Sequence, residues 1–174
     1  MPSEHMIVGV IVERRKLTNP WVEAVWLPAA VLPGPPDAAP WTSLGEDGAA
    51  TRYYAGPYAM ELHSVDTANY RDNLMSGSPK IWVAVRESSS DGEPVSVIGV
   101  TANPAEGEAF TEVGSDIVEA LPMPGEIAAR VASFVAEHHV ERAFYKRRRD
   151  RIDPEALARR EACYPRAMVE SDDE

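Results

Sequence analysis

The chain opens on a run of apolar positions bounded by polar ones. In HMIVGVIVERR, residues 5–15, Val and Ile dominate until the polar pair Glu13 and Arg14 ends the apolar run, and the stretch predicts a β-strand. NPWVEAVWLPAAVL, residues 19–32, predicts a second extended segment after an Asn19-Pro20 turn. Trp21, Val25 and Leu27 share one face at period two, although Trp26 breaks the alternation. Residues 33–50, PGPPDAAPWTSLGEDGAA, hold four prolines and three glycines, so neither a helix nor a central strand is expected. The expectation is a long surface loop, with Trp41 anchoring it to the core.

Alternation returns in TRYYAGPYAMELH, residues 51–63, where Tyr58, Met60 and Leu62 are interleaved with Ala59, Glu61 and His63. VDTANYRDNLMSG then predicts a short helix, capped by Asp66 or Thr67 and stopped at Gly77. KIWVAVRES and VSVIGVTAN predict two strands of a hairpin, and NPAEGEAF a helical turn with Asn103 as cap and Pro104 at its first position. SDIVEALPM predicts a last short strand. From Pro124 to Arg151, the positions Ile127, Val131, Phe134, Val135, His138 and Tyr145 form one helical stripe, and Pro154 ends any continuation. The fold class expected is α+β: a mostly antiparallel sheet, drawn as a half-closed barrel, with a long C-terminal helix packed across it. Residues 1–150 read as one globular domain and residues 151–174 as a charged, partly disordered tail.

Composition adds limits. A chain of 174 residues, 44% hydrophobic and 26% charged, can bury the core of one domain. No apolar run reaches the ~18 residues a membrane span needs, the first residues lack the basic start of a secretory leader, and one cysteine, Cys163, permits no internal disulfide. A cytoplasmic location without membrane contact is expected. The net charge of −11 is unevenly placed. Residues 1–141 carry 8 basic and 20 acidic side chains, a net of −12, whereas residues 142–166 carry 9 and 4, a net of +5. The acidic body repels nucleic acid at long range, and only the basic segment could attract it.

Candidate chemistry is sparse. His138 and His139 are adjacent, so on a helix they point ~100° apart and do not converge on a metal as residues at i and i+4 do. His5 and His63 are isolated, Cys163 lacks a partner, and no catalytic or phosphate-loop motif is present. No catalytic residue, bound metal or cofactor is therefore expected. The basic run RAFYKRRRDR interleaves aromatic and cationic residues. A solvated helix end, a protein-docking handle and a nucleic-acid arm all fit it, the last least well beside an acidic body.

VGVIVERR, NPW, VLPG, ELH, IWVAVR, VTANP, DIVEALPMP and FVAEHH followed by KRRRDR, in this order from about Val8 to Arg151, resemble domain-of-unknown-function family 3305. Genes of that family lie beside those of molybdenum-dependent formate dehydrogenases. The resemblance implies a non-enzymatic accessory or assembly factor, whose partner is a formate dehydrogenase subunit or its chaperone. The surfaces expected to meet the partner are Arg142, Lys146, Arg147, Arg148 and Arg149, together with Trp21, Trp26 and Trp41. Some members are labelled molybdenum-cofactor guanylyltransferases, so the alternative is a protein that binds a pterin or guanine nucleotide. Arg14, Arg15 and Lys16 would then meet phosphate. Against it, the glycine-rich loop such an enzyme needs after its first strand is missing.

Overall fold

A computed structural model describes residues 2–88, 93–112 and 114–140. In chain order the elements are β1 (Ser3–Asn19), β2 (Val22–Leu32), β3 (Thr42–Asp47), β4 (Ala50–His63), α1 (Thr67–Met75), β5 (Lys80–Glu87), β6 (Val95–Thr101), α2 (Pro104–Glu112), β7 (Ile117–Pro122) and α3 (Gly125–His138). They form two antiparallel sheets, ordered β2-β1-β4-β3 and β6-β5-β7.

Period-two patterning places the core. Val8, Val10 and Val12 alternate along β1, and each is fully buried, as are Met60 and Leu62 of β4 and Ile81, Val83 and Val85 of β5. Full burial of such a side chain is worth about 1.5–3 kcal/mol, so these positions outweigh any single polar contact in the sheet. Residues of both sheets and of α3 share one cluster. β2 runs beside β7, and β4 beside β6, but no ladder joins the two sheets. No barrel is closed, because ladder hydrogen bonds stop at both seams.

The α+β class and the antiparallel sheets are as expected; three details differ. First, β1 is longer than residues 5–15: it runs 17 residues from Ser3 to Asn19, because Lys16 and Asn19 pair with Ala24 and Val22 of β2 beyond the apolar run. Second, the proline- and glycine-rich stretch contains β3, an exposed edge strand held by β4. Third, the last helix among the described residues is neither long nor C-terminal: α3 spans 14 residues and stops at His138, with residues 139–174 following in the sequence. Its buried stripe is Ile127, Val131, Phe134 and Val135. Beyond Val135 the stripe supplies a histidine rather than a hydrophobe, and His139 turns to extended backbone. Tyr145 and the expected tail at 151–174 lie outside the described residues.

Polar clamps fix the helices. Asn73, buried near the end of α1, donates from Nδ2 to the carbonyls of Lys80 and Ala102 and accepts from the Lys80 amide at Oδ1. One side chain thereby ties α1 to the start of β5 and the end of β6. Asn103 Oδ1 accepts from the Ala105 amide, capping α2 as its sequence predicts. Gly77, at φ 79°, ends the α1 turn in the left-handed region that glycine favours.

Candidate functional site

The distal half of the β2-β1-β4-β3 sheet carries most of the residues singled out from sequence. Asn19 and Val22 pair across a two-residue loop, and Asn19 Oδ1 accepts from the Trp21 amide at 2.9 Å. This local bond and the fixed φ of Pro20 set the turn. Trp21 therefore sits on the hairpin tip, 90% exposed, and does not share a face with Val25 and Leu27. Leu17 and Val22, also exposed, flank it.

Trp26 and Trp41 are placed differently. Both are half-buried and pack against the core. Their ring centroids are 6.1 Å apart in an edge-to-face arrangement, and Tyr53 lies 5.3 Å from Trp26. Trp26 faces Arg14 of β1 from one side, and Tyr53 faces Val12 from the other, so the rings meet over β1. Trp41 adopts φ 67°. That conformation costs a residue with a Cβ about 1–2 kcal/mol, which the aromatic contacts offset.

On the opposite face of β1 the charges are organised around Glu13. Its side chain is 9% exposed. Arg15, two positions along the same strand face, donates to Oε1 from Nη2 at 2.8 Å and from Nε at 3.1 Å. Arg52, facing Glu13 across the β1–β4 ladder, donates to Oε2 at 3.3 Å. The hydrogen bond from Arg15 holds the Glu13 carboxyl below the usual carboxylate range; burial opposes this, and Arg52 adds to it. Arg14 is bonded to Glu23 at 3.1 Å. Two of the three cations that a nucleotide would meet after the first strand, Arg14 and Arg15, are thus each paired with a carboxylate. This arrangement was not read from the sequence. Its signal was the Glu13/Arg15 spacing of two, which puts both on one strand face once β1 is known to continue.

The two adjacent histidines diverge. The His138 ring sits against Phe134, 4.6 Å between centroids. His139 reaches α1, with Nδ1 3.1 Å from Thr67 Oγ1 and Nε2 3.0 Å from Arg71 Nη1. Neither is fully core-facing or fully solvent-facing. Among the described residues no group of three or more His, Cys, Asp or Glu side chains could hold a metal ion. No helix among them is long and apolar enough to cross a membrane. Arg142, Lys146, Arg147, Arg148 and Arg149, and also Cys163, lie outside the described residues.

The family model described as "Protein of unknown function (DUF3305)" matches residues 7–148. No curated protein and no solved structure matches.

Proposed function

We propose that this chain, which belongs to the DUF3305 family, is a non-enzymatic docking module, an accessory or assembly factor for a molybdenum-dependent formate dehydrogenase. The observation that carries the docking part is Trp21, 90% exposed on a turn fixed by Asn19 and Pro20. A tryptophan held in water by a stiff hairpin loses little freedom on association and can bury a large area, which is the behaviour of interface hot spots. The enzyme named as partner rests on the family resemblance. The basic residues at 142–149 would supply long-range attraction to an acidic partner surface.

Biolayer interferometry of the whole chain against purified formate dehydrogenase and against its dedicated chaperone tests this reading. One of them should bind, and Trp21→Ser should weaken that complex by about tenfold or more, at or above the ~1.4 kcal/mol a tenfold change represents. Replacing Arg147, Arg148 and Arg149 with serine should slow association at low salt and matter less at 0.15 M, where exposed charges are screened over ~8 Å. Binding to neither protein, or binding indifferent to Trp21, overturns the reading.

A further inference from the structure

We infer that the shallow groove across β1, β4 and β3 binds a small zwitterion, its carboxylate on Arg15 and Arg52 and its ammonium on Asp47. The ladder places six residues, five of them with side chains, in two rows. Arg15 faces Ala50, and Ala50 faces Asp47; in the next row Glu13 faces Arg52, and Arg52 faces Gly45. A methyl group therefore occupies the centre of one row, between a cation and an anion. The result is a depression of about 310 Å³ lined by Glu13, Arg15, Asp47, Ala49, Ala50 and Arg52. That volume is at the small end of ligand sites, roughly 300–1,000 Å³.

The donors are oriented and not exhausted. Glu13 fixes both guanidinium groups, using Nε and Nη2 of Arg15 but only Nε of Arg52. A guanidinium carries five N–H donors. Arg15 Nη1 and both terminal nitrogens of Arg52 are left without a hydrogen-bond partner among the described residues. The Asp47 side chain makes no hydrogen bond or ion pair among them either, its backbone being paired with Ala50. Adjacent strands lie ~4.8 Å apart, so β1 and β3 are separated by about 10 Å across β4. Arg15 of β1 and Asp47 of β3 line the same depression, so that spacing suits a ligand whose opposite charges are a few carbons apart.

Charge decides the ligand class. Glu13, Asp47, Arg15 and Arg52 sum to zero, within residues 1–141 of net charge −12. A phosphate dianion would meet the two arginines but also both carboxylates and the field of the acidic body. A simple amine would find Asp47 and be repelled by two cations. A zwitterion carries no net charge and satisfies both ends.

The test is ¹H–¹⁵N NMR of the whole chain titrated with β-alanine, with acetate, methylammonium and inorganic phosphate as comparisons. β-Alanine should give saturable shifts at the Ala50 and Arg52 amides, at least about fivefold tighter than acetate or methylammonium, as expected for one added, partly screened ion pair. Asp47→Asn should weaken β-alanine by about fivefold and leave acetate unchanged. Arg52→Gln should weaken both; because Arg52 also supports Glu13, the exposed Asp47 variant is the decisive one. Shifts that do not saturate, β-alanine no tighter than acetate, an unaffected Asp47→Asn variant, or phosphate binding tighter than β-alanine each overturn the proposal.

Discussion

Arg71 Nη1 lies 3.0 Å from His139 Nε2. Arginine can only donate, so Nε2 accepts, and the neutral ring carries its proton on Nδ1, toward Thr67 Oγ1 at 3.1 Å. Thr67 in turn donates to the Ser64 carbonyl. The chain of bonds needs His139 in extended backbone, φ −75° and ψ 123°, and one more helical residue would carry the ring away from α1. Imidazole ¹⁵N shifts at neutral pH should identify the Nδ1–H form for His139. Finding the Nε2–H form would refute the bond direction, and Arg71→Met should abolish the preference.

Asn73 is the polar residue whose loss should cost most. Its amide makes three hydrogen bonds of 2.8–2.9 Å, all to backbone groups of Lys80 and Ala102. Asn73→Ala leaves those groups short of partners in a buried setting, so we expect a loss of about 2–4 kcal/mol in urea unfolding. A loss below ~0.5 kcal/mol, the range of neutral surface changes, would show that water replaces the clamp at no cost.

Two glycines separate close packing from conformational freedom. A Cβ at Gly107 of α2 would run into the Trp82 ring of β5, whereas one at Gly125, the first residue of α3, meets nothing within 4 Å. Gly107→Ala must displace an indole and should destabilise by about 1–3 kcal/mol. Gly125→Ala should be neutral or stabilise by up to ~1 kcal/mol, because it restricts the unfolded chain. Thermal unfolding of the pair checks this, and equal effects would contradict the packing.

Acid should unfold the protein partly through Glu13 and Asp116. Glu13 is held below its ordinary range first by Arg15, and Asp116 by the hydrogen bond from Arg86. For a carboxyl depressed in the folded state, the stabilisation is complete above the unfolded value, about 4. It is lost as pH falls through the folded value. Stability should thus decline below about pH 5. Glu13→Gln should lower stability at pH 7 and flatten that decline, since the glutamine cannot titrate. Denaturant midpoints from pH 7 to pH 3 provide the measurement; parallel curves for variant and wild type would exclude Glu13 as a contributor.

What the sequence determined here is what acts over a few residues. The alternation of Val8, Val10 and Val12 marked a buried strand face because a pleated strand repeats every two residues whatever it pairs with. Asn103 and Gly77 marked helix ends because their side-chain bond and backbone freedom are local. Tertiary structure decided the rest. Thr42–Asp47 has no apolar alternation and becomes β3 only because β4 offers it a ladder. Arg14 and Arg15 stay extended for the same reason, between β2 and β4. Trp21 and Trp26 have the same intrinsic hydrophobicity; the hairpin turn leaves one in water, and the crossing of β1 brings the other onto Trp41. Glu13 meets Arg52 across 39 residues of chain. Register between strands is fixed by the burial of a whole sheet face, so no window of sequence holds the pairing on which the groove depends.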